Sequence, residues 1–237
     1  MRLLLISLAL ALLSACATPV IVAAPPEPRQ APSADREPRP APTVAARNFI
    51  DVVDRVMPVA RSACAARTRG VRCDYAVVVD DRRGAPPNAF QTLAPDGRPV
   101  VGFTLPLILS ARNTDELAFI LSHEAAHHIA GHIARGRVSA QSNAALAGAI
   151  VALGGGDAGA VRRAQQVGAF YGSRRYAKEF ELEADALGAM LALRAGYDPL
   201  RGARFFERSP DPGNRFLGTH PPNADRIENV RRALARR

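Results

Sequence analysis

Four of the chain's five histidines fall within ten residues, and two of them bound the string His123-Glu124-Ala125-Ala126-His127. On a helix, positions i and i+4 differ by about 40° in azimuth, so His123 and His127 share a face one turn apart. Their imidazoles can then bind one zinc ion at about 2.0–2.1 Å each. Glu124 projects about 100° to the side, where its carboxylate reaches a metal-bound water rather than the metal, which is the place of a general base. With five His and nine Glu in 237 residues, chance supplies only about 0.004 strings of this form. The surrounding sequence asks for a helix. Asn113 is an N-cap with Glu116 three residues on, a capping-box spacing, and the apolar pattern continues to about Arg135 with a stop at Gly136.

A zinc site of this kind needs a third protein ligand. The metzincin solution fails, because Gly131 comes one position late and Ile133 stands where a third histidine belongs. On a straight helix His128 is rotated about 100° from His127 and His132 about 140°, so both read as packed or solvent-facing histidines. The better candidate lies in Glu181-Leu182-Glu183-Ala184-Asp185 on a later helix. Glu181 and Asp185 share a face, so Glu181 can supply the ligand while Asp185 accepts the free N–H of a ligand histidine. Glu183 lies about 200° round and points elsewhere. Glu179 is a rival ligand by residue type, but its i+4 neighbour is Glu183, which sets two like charges together.

The rest of the chain predicts an α+β fold, mainly helical with a small, mostly antiparallel sheet. Residues Ala46 to Arg69 read as a helix containing Pro58. Asp74 to Asp80, Pro87 to Leu93 and Arg98 to Phe103 read as strands, with Asp96-Gly97 as a hairpin signal between the last two. Residues 139–170 are rich in Ala and Gly, and Ala144 to Leu153 is too short to cross a bilayer, so a packed helix is expected there. A further helix is expected from about Gly168 to Ala195, ending at Gly196, and a terminal one from about Asn223.

The N-terminus reads as an address. Met1-Arg2 precedes an apolar run from Leu3 to Leu13, which closes Leu13-Ser14-Ala15-Cys16, the pattern of a lipoprotein signal. Residues 1–15 are then a signal peptide and Cys16 the lipidated first residue of the mature chain. By resemblance to Gram-negative lipoproteins, Ala17 rather than Asp at this position favours the outer membrane, facing the periplasm. Residues 17–45 hold eight of the nineteen prolines and no apolar periodicity, so 16–45 is expected to be an extended tether and 46–237 the folded domain. Cys64 and Cys73 are expected to pair in an oxidising compartment. The net charge of +9 is spread over scattered arginines, with Lys178 the sole lysine, which describes a solvated surface with loose attraction to anionic membranes. With no tryptophan and 5% aromatics, no stacking platform for single-stranded nucleic acid is expected, and no nucleic-acid partner.

Taken in order, His-Glu-x-x-His, then Glu181-Leu-Glu-Ala-Asp185-x-x-Gly188, then Thr219-His220-Pro221-Pro222, the motifs resemble those of the gluzincin metallopeptidase family of the CAAX-prenyl endopeptidase, HtpX and BepA. The resemblance covers about residues 46 to 237 and implies that they form a zincin-like zinc metallopeptidase domain. It implies His123, His127 and Glu181 as ligands of one zinc ion per chain, Glu124 as base and Asp185 as the outer carboxylate. It implies that His220 approaches the metal and that Arg226 stabilises an oxyanion. Asn88, Ala89 and Phe90, before a glycine turn and a strand, resemble the family's substrate-edge strand. The implied activity is endoproteolysis of unfolded or misassembled envelope polypeptides. The alternative is a zinc-bound chaperone or assembly factor with latent proteolysis. The family's multiple membrane spans and tetratricopeptide domain are not expected here, nor a peptidoglycan hydrolase.

Overall fold

The computed structural model describes residues 37–215, 218 and 220–236, so the expected signal peptide, Cys16 and tether residues 17–36 lie outside the described residues. The first helix, α1 (Pro42–Arg67), begins at Pro42 rather than Ala46. A proline in the first turn lacks an N–H that would be unpaired anyway, and its φ is preset for a helix. Pro58 lies inside α1 without ending it. Ala45, Phe49, Val52, Val56, Ala60 and Ala63 recur at three- and four-residue steps and are all buried. Each fully buried valine among them contributes about 1.5–3 kcal/mol.

The strands are β1 (Ala76–Asp80), β2 (Ala89–Leu93) and β3 (Pro99–Thr104), in the order β1-β3-β2. β2 and β3 form the expected hairpin, antiparallel from Ala89 opposite Phe103 to Leu93 opposite Pro99. Gly97 turns it with a φ of 81°. β1 pairs with β3 in parallel, so the sheet is mixed, with one pairing of each kind. Val101 and Phe103 are fully buried on the face toward α1, where the Phe103 and Phe49 rings lie 4.9 Å apart. On the other face Gly102 receives the Phe90 ring, and a Cβ there would meet Phe90 Cζ at 2.2 Å. The disulfide between Cys64 and Cys73 ties the end of α1 to the approach of β1, with Cα atoms 5.7 Å apart.

Short α2 (Leu105–Ser110) leads to α3 (Thr114–Ile129), which is buried almost throughout. Asn113 Oδ1 accepts the Glu116 N–H at 3.0 Å. The Glu116 carboxylate reaches back to the Arg112 N–H at 2.8 Å and accepts both outer nitrogens of Arg208 at 2.7 Å. α3 is the centre of the molecule, packed by α1 and by α6 (Ala177–Arg194). Small residues let α6 close in: Ala184 and Ala189 are fully buried, and Gly188 lies on the His123 backbone.

Two helix boundaries correct the sequence reading. α3 stops at Ile129, not Arg135, because Gly131 takes a φ of 68°, and α4 (His132–Leu153) starts at once and runs straight through Gly136. Left-handed backbone is open to glycine at little cost, so the turn falls where it is needed. The single helix expected over 168–195 is two, α5 (Ala158–Arg174) and α6, parted at Arg175-Tyr176. α4 and α5 form an antiparallel pair in close contact. A Cβ on Gly168 would fall 2.3 Å from the Asn143 carbonyl, and one on Gly172 2.4 Å from that of Ser139. Among the described residues no helix is long and apolar enough to cross a membrane. The chain finishes with α7 (Pro199–Ala203), α8 (Phe205–Arg208) and α9 (Asn223–Ala235). Phe119, Ala189, Ala203, Phe206 and Val230 make a smaller core beneath α9.

Candidate metal centre

α3 and α6 cross so that one turn of each faces the other. His123 Nε2 and His127 Nε2 stand 3.0 Å apart. Glu181 Oε2 lies 3.5 Å from the first and Glu181 Oε1 3.3 Å from the second. Three donors around a tetrahedral zinc ion at about 2.0–2.1 Å would stand roughly 3.3 Å apart, so this donor set fits such an ion in both chemistry and spacing. His123, His127 and Glu181 form a group able to hold a metal ion among the described residues. Glu179, the rival by residue type, is not part of it.

Around the trio the charges are arranged to hold it. His123 Nδ1 lies 2.9 Å from Asp185 Oδ1. Asp185 is fully buried and takes a bidentate grip from Arg226, Nε at 2.8 Å and Nη2 at 2.7 Å. Arg226 Nη2 also stands 3.3 Å from Glu181 Oε2, and the guanidinium lies 3.9 Å from the centre of the Phe206 ring. Planar guanidinium suits this double duty, since one face stacks while the edge donates. Burial works against a charged Asp185, but Arg226 and then His123 overcome it and hold its carboxyl below the usual range. Burial likewise opposes ionisation of Glu181, yet hydrogen bonds from His123, His127 and His220 hold it well down. His123 is buried too, and Asp185 and Glu181 outweigh that burial and raise it. A cation held here would supply the same positive charge and would displace a proton.

Glu124 projects from α3 beside the trio into a cavity of about 670 Å³ that His123, His127, Glu181 and His220 also line. Burial, with a smaller push from Glu181, raises its carboxyl despite the two histidines and Arg226. His220 Nδ1 lies 3.0 Å from Glu181 Oε2. Asn88 and Ala89 line the same cavity, whereas Phe90 lines a separate groove with Asp80 and Arg82. The edge strand thus meets the cavity at Asn88 and Ala89, while the Phe90 ring packs over Gly102. Leu107, Phe119, Ile120, Phe205 and Phe206 give the cavity an apolar wall.

Two residues of the neighbourhood were not legible as site residues. His132 is buried, not set aside by rotation, because the break at Gly131 swings it back toward His127, with the two Nδ1 atoms 2.8 Å apart. Glu183 lies 3.2 Å from His132 Nε2 and accepts from Arg135 at 2.7 Å. Burial pulls His132 down to about 4, against the opposing pull of Glu183, so its ring is neutral at pH 7. The available signal was Gly131 itself, five residues before the glycine at which the helix was expected to stop. His128 does pack: its Nε2 is 2.7 Å from the Arg72 carbonyl and its ring meets Tyr75 edge-on.

Residues 48–234 match the sequence profile of peptidase family M48. The chain belongs to this family. M48 members are metallopeptidases, and in this chain the His-Glu-x-x-His helix and its distant glutamate bring together a group that could hold a metal ion. Among relatives, a protein of Vibrio cholerae serotype O1 that bears, provisionally, the name beta-barrel assembly-enhancing protease is 35% identical over 138 residues, 53% of this chain and 28% of its own. The mitochondrial metalloendopeptidase OMA1 of Saccharomyces cerevisiae is 31% identical over 175 residues, 70% of this chain and 48% of its own. The beta-barrel assembly-enhancing protease of Escherichia coli O157:H7 is 30% identical over 139 residues, 50% of this chain and 27% of its own. The chain thus spans less than half the length of each of these M48 relatives.

Proposed function

We propose that this M48 peptidase is a zinc-dependent endopeptidase of the bacterial envelope, lipid-anchored at Cys16 to the outer membrane and facing the periplasm, which cleaves misfolded or misassembled envelope proteins. The observation that carries the chemistry is the convergence of His123, His127 and Glu181 at ligand spacing, with Glu124 beside them in a cavity that an edge strand enters. A zinc ion held by these three would polarise a scissile carbonyl and acidify the attacking water. Every other task falls to the chain. An unfolded substrate adds alongside β2, whose outer edge is unpaired among the described strands, and its backbone is led toward Asn88 and Ala89. Glu124 takes the proton of the attacking water on its carboxylate and hands it to the departing amine nitrogen. Arg226 donates toward the oxygen on which negative charge grows, anchored for that by Asp185.

The lipid anchor rests on the Leu13-Ser14-Ala15-Cys16 pattern, and the choice of substrates on the names of the two bacterial relatives. Proteolysis of an unfolded outer-membrane protein is the direct test, with and without a chelator and beside Glu124→Gln. Equal rates in all three would reject the mechanism. A second reading, an assembly factor whose proteolysis is latent, is favoured by His220, which lines the cavity and hydrogen-bonds the Glu181 carboxylate. His220→Ala should then raise the cleavage rate, and an unchanged rate would remove that reading.

A further inference from the structure

A histidine that binds a metal through Nε2 carries its remaining proton on Nδ1, and the partner of that proton fixes both tautomer and ring orientation. His123 has Asp185 for this purpose. His127 also turns Nε2 inward, 3.0 Å from His123 Nε2 and 3.3 Å from Glu181 Oε1. Its Nδ1 therefore faces out of the site, and the atom it meets at 2.8 Å is His132 Nδ1. His132 hands the demand on, with Nε2 3.2 Å from Glu183 Oε2, and Glu183 is in turn held by Arg135 at 2.7 Å. The His132 ring is clamped flat on Phe180, with centroids 4.4 Å apart and planes 9° from parallel. The two ligand histidines thus have unlike supports, one a buried carboxylate and the other a second imidazole backed by a half-exposed carboxylate.

We propose that His132 is the positioning residue of His127: its Nδ1 accepts the His127 Nδ1–H, which presents His127 Nε2 to the metal, while Glu183 accepts the His132 Nε2–H and holds that tautomer. The inference rests on His127 being a ligand. Three replacements separate hydrogen bonding from packing. His132→Asn keeps an acceptor near the place of Nδ1 but loses the stacked ring. His132→Phe keeps a ring on Phe180 and loses the acceptor. His132→Leu matches Asn in bulk without an acceptor, and serves where the Phe protein does not fold.

The readouts, on the full chain, are zinc affinity by chelator competition and the visible spectrum of the cobalt-substituted protein. Losing such a partner weakens metal binding by about 10–100-fold, so this loss and a changed cobalt spectrum are expected for Phe and Leu. The Asn protein should stay near wild type in both. Phe binding zinc as tightly as wild type, or Asn and Leu losing equally, would overturn the assignment. A wild-type protein that binds zinc no better than His123→Ala would instead sink the metallopeptidase site itself, so the two failures are distinguishable.

Discussion

Replacing Gly188 by alanine would drive a methyl group into the backbone of the metal-binding helix. Its Cβ would stand 2.8 Å from both His123 Cα and His123 N, and 3.1 Å from the Ser122 carbonyl carbon. Carbon atoms rest at about 3.5–4.0 Å, so α6 would have to retreat from α3 by about 0.7 Å. No rotamer change relieves it, because the obstacle is main chain. Overpacking of this kind costs about 1–3 kcal/mol, at the upper end here, and the helix propensity gained by Gly→Ala returns about 1 kcal/mol. The net loss of about 2 kcal/mol lowers the melting temperature by about 4–8 °C in a chain of this size. Glu181 rides on α6 two turns earlier, on the same face. Metal–donor distances tolerate only about ±0.2 Å, so the retreat also carries the carboxylate out of range. Calorimetry with and without chelator, beside metal content per chain, reads both effects. Gly148→Ala is the control, since its Cβ meets only the flexible Gln165 side chain at 2.7 Å. A Gly188→Ala protein that melts within a degree of wild type and retains its full metal content would refute the reasoning.

Asp185→Asn removes the charge that pairs buried Arg226, and breaking such a pair costs about 3–5 kcal/mol; denaturant unfolding should show the loss, and an unshifted midpoint would contradict the pairing. Tyr75 is raised well above its ordinary value by burial, and its hydroxyl donates to the Ala125 carbonyl at 3.2 Å. The protonated form is the one the fold favours, so its contribution is complete below about pH 10 and is lost as the pH climbs beyond that. Tyr75→Phe should cost about 1 kcal/mol at pH 7 yet fall less steeply with pH above 10, and parallel curves for the two proteins would count against this. Replacing Cys64 and Cys73 together by serine should lower stability by about 2–3 kcal/mol, as expected for so short a loop, measured as a shift in denaturant midpoint under non-reducing conditions.

What could be read in advance was whatever depended on local periodicity. The i, i+4 pairs His123/His127 and Glu181/Asp185 needed only helical geometry, and the structure brings all four side chains together. Glu181, preferred over Glu179 on the like-charge argument, is the one that stands beside the two histidines. The hairpin followed from Asp96-Gly97. What escaped depended on choices between equals. Gly131 and Gly136 can each end a helix, and placing the end at Gly136 hides the His127–His132 contact. The break at Arg175-Tyr176 has no proline, glycine or cap to announce it. The parallel partner of β1 is set by where the segment 81–88 carries the chain, which no pattern within β1 encodes.

Arg226 clasps Asp185 and reaches His123 from 103 residues further along the chain. During synthesis, therefore, the pair of imidazoles emerges long before the guanidinium that locks their carboxylate neighbours. Until α9 docks, Asp185 has no cationic clasp, so a chain grown only through α6 carries His123, His127 and Glu181 without the clamp that aligns them. The alignment of the metal-binding group is thereby tied to the arrival of α9, the last helix among the described residues.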